Sequence, residues 1–253
     1  MAKTKIALIT GASRGLGREM ALRVAEKGID LVITYHSNQK AAEEVVEAIE
    51  TSGQKAKAFR LDTSNVDEFD RFYEGLSKYL IEEYGSAHFD FLVNNAGTGI
   101  YKPFLDTTEA DFDEMLDIHL KGVYFLTQKA VPFLNDGARI INISSGLARF
   151  SFPNSSAYAS AKGGVEVFTR YLAKELSHKK IRANVVAPGA VGTDFGGGEN
   201  KTNQQKIKAV SSLTALGRVG EPEDLGGVVA FLCTDDARWI NGQRIEVSGG
   251  IIL

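Results

Sequence analysis

Tyr158 and Lys162 stand four positions apart in the stretch "SSAYASAK", residues 155 to 162, with only small residues between them. Positions i and i+4 of a helix share a face, so a phenol and an ammonium at this spacing can approach one another. A free tyrosine loses its proton near pH 10, and using it as a base near pH 7 takes a shift of about 3 units, roughly 4 kcal/mol. A unit charge about 4 Å away is worth roughly 4 kcal/mol at an effective dielectric of 20. One well-placed lysine is therefore of the right size to make the phenol a proton-transfer group. Taken alone, the pair fits an exposed helix surface equally well, and the rest of the chain must decide.

A second feature with chemical content opens the chain. The apolar run "KIALIT" leads into "GASRGLG", which puts Gly11, Gly15 and Gly17 where a first strand turns into a helix. Such a turn lets the backbone come close to a pyrophosphate and aims free helix amides at it. The spacing is GxxxGxG rather than the standard GxGxxG, and its place at the first strand favours nucleotide binding over an ordinary glycine turn. The second strand, in "DLVITYHSN", ends in Thr34, Tyr35, His36, Ser37 and Asn38, with no carboxylate to bond a ribose 2′-hydroxyl and repel a 2′-phosphate. Arg14, inside the glycine turn, supplies a permanent cation. Together these features favour NADP(H) over NAD(H).

The elements that must position these groups follow from periodicity. Short runs rich in branched residues recur as "KIALIT", "DLVITY", "AKAFRL", "FDFLVNN", "ARIINIS", "IRANVVAP" and "QRIEVSG", separated by amphipathic stretches such as "GREMALRVAEKG" and "NQKAAEEVVEAIETSG". The alternation predicts a doubly wound α/β fold, a parallel sheet with helices on both faces. No linker divides it, so a single domain over 1–253 is expected. The stretch "DFGGGENKTNQQKI", 194 to 207, lacks apolar periodicity and predicts a mobile surface loop, taken as a substrate loop reaching to about 215.

Bulk composition excludes several classes. A chain of 253 residues with 43% hydrophobic content can build one large core. A formal net charge of -3 argues against nucleic acid as a partner. Cys233 is the one cysteine, set in the apolar "GGVVAFLC", which excludes an internal disulfide and fits a buried residue in a reducing compartment. The start, "MAKTKIALITGASRG", does not read as a signal peptide, and no window approaches the roughly 18 apolar residues needed to span a bilayer. A soluble, cytoplasmic protein without a membrane partner is expected. His36, His88, His119 and His178 are scattered, no cluster has metal-ligand spacing, and no metal is expected.

The chain resembles the short-chain dehydrogenase/reductase family over essentially its whole length. The residues that carry the resemblance are "TGASRGLG" at 10–17, "NNAG" at 94–97, "SS" at 144–145, "YASAK" at 158–162, "PGAVGT" at 188–193 and "SGG" at 248–250, all in the family's order. The resemblance implies a Rossmann-like fold with a seven-stranded parallel sheet, a homotetramer, and hydride transfer between a nicotinamide and an alcohol or carbonyl carbon. It implies that Ser145, thirteen residues before Tyr158, is the catalytic serine rather than Ser144, and that its hydroxyl bonds the substrate oxygen. In reduction Tyr158 would donate its proton to the carbonyl oxygen, with Lys162 close by and bonded to the nicotinamide ribose. Asp62 would sit near the adenine, Asn95 would help hold the ribose region, and Thr193 with the Val191 backbone would meet the carboxamide. Ser13, Leu16, His36, Ser37, Ala96, Gly97, Pro188 and Gly189 complete the cofactor-binding set that the resemblance implies.

One position departs from the family pattern. In "DIHLKGVYF" His119 replaces the asparagine usually associated with a water between the lysine and solvent. A histidine ring is larger and can titrate near neutral pH, so His119 is either a fourth catalytic residue or a tolerated helix residue. Ile100, Tyr101, Leu147, Phe150 and Phe152 are candidates for a pocket wall, with Phe195 closing over it; the same residues could instead belong to the core or a subunit interface. If they line the site, an apolar or aromatic ketone fits best. The nearest relatives in type are bacterial 3-oxoacyl-(acyl-carrier-protein) reductases, but "PFLNDGARI" carries Asn135 and Asp136 where those enzymes tend to carry basic residues, leaving Lys179 and Lys180 as a possible anchor. A general carbonyl reductase is therefore the first reading, the acyl-carrier reductase the second, and a non-catalytic NADP sensor or scaffold the third.

Overall fold

In the computed structural model, residues 4–253 are described. Residues 1–3, at the head of the predicted domain and of the segment read as lacking a signal peptide, lie outside them. Seven parallel strands form one sheet: β1 Lys5–Ile9, β2 Ile29–Tyr35, β3 Ala56–Arg60, β4 Phe89–Asn94, β5 Leu134–Ile143, β6 Arg182–Pro188 and β7 Arg244–Val247. Their order is β3-β2-β1-β4-β5-β6-β7. All seven apolar runs picked out from the sequence form strands.

Alternation along the strands builds both faces. Ala7, Ile9, Leu31, Ile33, Phe91, Val93, Ile141 and Val186 face one core, shared with Met20 and Val24 of α1 (Gly15–Ala25) and Val45 and Ile49 of α2 (Gln39–Thr51). Ile6, Leu8, Val32, Leu92 and Ile140 face the other, packed on Phe69, Phe72 and Leu76 of α3 (Phe69–Tyr84). Between β4 and β5 lie α4 (Glu109–Leu116) and α5 (Gly122–Ala130), joined by a π-helical turn at Asp117–Lys121. The long α6 (Ser156–Glu175) follows β5 and carries Tyr158 and Lys162 in its first two turns.

The stretch after β6 differs from the expected loop. A 3₁₀ turn at Phe195–Gly197 leads into α7 (Glu199–Thr202) and α8 (Gln204–Leu213). Local capping explains this, because the Asn203 side chain accepts from the amides of Gln205 and Lys206 and starts α8 without a strong apolar stripe. Last comes α9 (Pro222–Leu232), opened by a capping box between Glu221 and Asp224. Among the described residues no helix is long and apolar enough to cross a membrane.

Sheet order reverses direction beside β1, where β4 and not β3 is its second neighbour. At such a switch point the loops leaving the carboxyl ends of adjacent strands part and leave a crevice.

Candidate active site

The crevice has a volume of about 1620 Å³. Gly11, Ser13, Arg14, Gly15, Leu16 and Gly17 line it after β1, His36 and Ser37 after β2, and Asp62 after β3. Asn95, Ala96 and Gly97 follow β4, Ser145 follows β5, and Pro188, Gly189, Val191 and Thr193 close β6 or follow it. Tyr158 and Lys162 enter from α6 and His119 from the π-helical turn, so the residues expected from the sequence to do the chemistry and to hold the cofactor border the same cleft.

The glycine turn has the form a pyrophosphate needs. Gly11 has φ 63, and a Cβ on it would lie 2.7 Å from the Ala96 Cα. A Cβ on Gly17 would meet the Gly11 carbonyl oxygen at 2.3 Å and Asn95 Nδ2 at 2.5 Å. At the head of α1 no side chain caps the amides and the first turn holds no acid, so free N–H groups and the helix dipole face the cleft. These features fit a dinucleotide phosphate, and exposed Arg14 stands at the same turn. Asn95 acts on the turn itself: its Nδ2 donates to the carbonyls of Thr10 and Gly11 at 2.9 and 3.1 Å. Thr10, which the sequence reading passed over, accepts through Oγ1 from the amides of Asn95 and Ala96, both at 3.0 Å, and so staples β1 to β4. Its only sequence signal is a hydroxyl directly before the first glycine.

At the far corner, His36 Nε2 lies 3.6 Å from Asp62 Oδ2. Burial would raise the Asp62 carboxyl, but the Ser64 hydroxyl and amide, with lesser help from His36 and Arg60, hold it below the ordinary range. A second polar layer lies beneath the cleft floor, where buried Asn94 donates to Thr127 and Asn142, and Asn142 to Thr169.

Two serines follow β5 and only one is free to face a substrate. Ser144 is buried, its hydroxyl donating to Glu166 Oε1 at 2.8 Å. The Ser145 side chain accepts from the Leu147 amide at 3.2 Å, and it borders the cleft together with Tyr158. Lys162 Nζ donates to the Ile143 carbonyl at 2.7 Å and lies 5.7 Å from the centre of the Tyr158 ring.

Electrostatics depart from the simple arithmetic. Burial raises the Tyr158 phenol above its usual value, Tyr101 adds to this, and the neighbouring Ser145 hydroxyl opposes it. Burial also pushes the Lys162 ammonium down to about 7. Desolvation of both partners outweighs the single-charge attraction, so the phenol keeps its proton. His119 is likewise corrected: burial, then the Lys162 charge, push its imidazole well below the ordinary range, and it does not titrate near neutral pH. Its Nε2 lies 2.7 Å from the Thr98 carbonyl, which can only accept, so Nε2 carries the hydrogen and Nδ1 is a bare acceptor, buried and without a protein partner. The ring stands edge-on to Tyr158, centroids 5.0 Å apart, and against Gly97, where a Cβ would come within 2.5 Å of it.

Tyr101, Leu147, Phe150, Phe152 and Phe195 all border the cleft, whereas Ile100 does not; Tyr101 takes the cleft side there, its ring 6.3 Å from that of Tyr158. Phe195 lies 5.9 Å from the same ring. Lys206, Val210 and Leu213 also line this end and were missed, because the stretch containing α8 was read as a loop; Ile118, next to His119 in the π-helical turn, lines the cleft too. Lys179, one of the two candidate basic anchors, spends its ammonium on the carbonyls of Val131 and Leu134. No group of three or more His, Cys, Asp or Glu among the described residues could hold a metal ion.

A short-chain dehydrogenase family model, described as Enoyl-(Acyl carrier protein) reductase, matches residues 11–252. The chain belongs to the short-chain dehydrogenase/reductase family. It is 38% identical over 259 residues to a hydroxynaphthalene reductase-like protein of Metarhizium brunneum, covering 98% of this chain and 95% of that one. Among solved structures it resembles LugOII, described as a promiscuous reductase that catalyses keto-reduction at C1 during lugdunomycin biosynthesis, at 38% identity and TM-score 0.93 with full coverage of both chains. It also resembles the landomycin C-6 ketoreductase LanV with bound NADP and rabelomycin, at 37% identity and TM-score 0.89, over 98% of this chain and 96% of that one.

Proposed function

We propose that this oxidoreductase is an NADPH-dependent ketoreductase that converts an apolar or aromatic ketone into a secondary alcohol. The observation that carries the reading is the meeting, in one cleft, of Ser145, Tyr158 and Lys162 with an uncapped glycine-turn helix. The relatives support it: LanV is a ketoreductase with bound NADP and rabelomycin, and LugOII is a reductase that catalyses keto-reduction. NADP rather than NAD is favoured by Arg14 and by the absence of a carboxylate from Thr34 to Asn38.

When bound, NADPH supplies the hydride that reaches the carbonyl carbon. The protein's own groups manage the oxygen. Tyr158, its proton held by burial, releases it only when the carbonyl oxygen has become a strongly basic alkoxide. Ser145 donates a hydrogen bond to the same oxygen as its charge grows. Lys162 would bond the nicotinamide ribose, and neutral His119, edge-on to Tyr158, would take part through its bare, buried Nδ1 as a hydrogen-bond acceptor. Gly11 to Gly17 and Ser13 hold the pyrophosphate, Arg14, His36 and Ser37 the 2′-phosphate end, and Asp62 the adenine. Asn95, Ala96, Gly97, Pro188, Gly189, Val191 and Thr193 complete the cofactor cradle. The chain works as a single domain, with 194–215 as a mobile cover over the substrate. The reading includes a cytoplasmic homotetramer, supported by family membership and by the single cysteine.

The deciding experiment mixes the protein and NADPH with a panel of fused-ring aromatic ketones, simple ketones and a 3-oxoacyl carrier-protein thioester, and follows nicotinamide absorbance. Fastest consumption with the aromatic ketones is expected. Binding of NADPH with no consumption by any member would contradict the reading and point to a sensor.

A further inference from the structure

Arg149 lies four residues after Ser145, outside the catalytic set. Its guanidinium grips both oxygens of Glu246, at 2.7 and 2.8 Å, and also donates to the carbonyls of Ile252 and Ile251, at 3.0 and 2.8 Å. Glu246, on β7, accepts in addition from Arg244 at 2.9 Å and from the Ser248 hydroxyl at 3.0 Å. Arg244 then donates to Glu166 at 2.7 Å and to the backbone carbonyl of Ser145 at 3.3 Å. Glu166 closes the chain by accepting the Ser144 hydroxyl. Charge alternates along Arg149, Glu246, Arg244 and Glu166. Arg244, Glu246 and Glu166 are largely withdrawn from water, so these pairs are screened less than ordinary surface pairs.

The far side of this network is the C-terminal strap. The carbonyls of Gly249 and Gly250 accept from the amides of Leu216 and Ala215, at 3.0 and 3.2 Å, just beyond α8. The Ile252 amide donates to the carbonyl of Leu213, the last residue of α8, at 3.0 Å. Ile251, buried between these bonds, borders the cleft.

We propose that Arg149 and Arg244 are positioning residues, which fasten the substrate-covering segment, through the strap 248–252, to the backbone of Ser145. The inference rests on Ser145 as the serine that meets the substrate oxygen. Substrate packed beneath α8 bears on the strap, the strap is held by Arg149, and Glu246 and Arg244 carry the restraint to the Ser145 carbonyl. A cover in place and a serine aimed at Tyr158 are thus one mechanical state. Loss of Arg149 frees the strap and leaves Glu246 with one guanidinium, so the serine loses its aim while the glycine turn on the other side of the cleft is untouched.

Arg149→Met in the wild-type and Ser145→Ala backgrounds tests this, with kcat, NADPH affinity by fluorescence titration, and amide hydrogen exchange as readouts. In the wild-type background kcat falls about tenfold and NADPH affinity stays within about twofold; in Ser145→Ala the same change costs nothing further. Amides of Ala215, Leu216 and Ile252 exchange faster, and Arg149→Lys recovers part of kcat. If Arg149→Met does not fold, Glu246→Gln is used and the same pattern is expected. Unchanged kcat, or an equal loss in both backgrounds, overturns the coupling. Wild-type turnover in Ser145→Ala alone overturns instead the reading of Ser145 beneath it.

Discussion

Lys162 is a charge held where burial opposes it, with its ammonium pushed down to about 7 from the usual 10.5. Between those two values the unfolded chain binds a proton here that the folded chain does not. Stability at this site therefore falls as pH drops from about 10 toward 7 and levels off below. Lys162→Met removes that penalty, so the variant should be more stable than wild type, with an advantage larger at pH 7 than at pH 9.5 by about 3 kcal/mol. Denaturant melts at the two pH values measure it, and an advantage that does not change with pH would count against the assignment. The same variant should lose turnover, a stability cost kept for function. Burial likewise accounts for Cys233, whose thiol is pushed up to about 12, so it should resist thiol reagents at pH 8 until the chain is unfolded.

At the scale of elements, the turn from β1 into α1 depends on close backbone approach. Gly17→Ala would drive a methyl group into the Gly11 carbonyl and Asn95, so it should weaken NADPH binding at least tenfold and lower the melting temperature. Titration of cofactor fluorescence against the variant checks this, and wild-type affinity would contradict it. Much of this layer was legible beforehand. Strands buried on both faces read as continuous apolar runs, which is why "DLVITY" and "FDFLVNN" located β2 and β4. What escaped was structure with no periodic signal. Helix α8 is started by an asparagine cap and tied at its end to the strap, α7 is a single short turn, and the 194–207 stretch therefore looked like a loop. Charge balance at Tyr158 escaped for another reason: spacing says two groups can meet, but only the fold says how much water each one loses. The alternating arginine and glutamate network behind Ser145 joins Arg149, Glu166, Arg244 and Glu246 across long sequence separations, and no local pattern announces it.

For the molecule as a whole, the cleft lies across a sheet whose order turns at β1 and β4, and the cofactor and catalytic groups expected from the sequence, His119 among them, border it together. The helical flank carries exposed apolar groups, Phe112 on α4, Tyr124 on α5 and Val167 and Tyr171 on α6, which suits burial against a second copy. In the proposed homotetramer Tyr171→Asp should shift the sedimentation coefficient to that of a smaller species, and an unchanged coefficient would argue against this face as the contact. The central claim is proton transfer from Tyr158 in a cleft built for NADPH, and Tyr158→Phe tests it most directly. Removing one hydroxyl should leave NADPH affinity close to wild type and lower ketone turnover by at least about a hundredfold, the ordinary worth of a general acid. Near wild-type turnover in Tyr158→Phe, with the fold intact, would contradict the account.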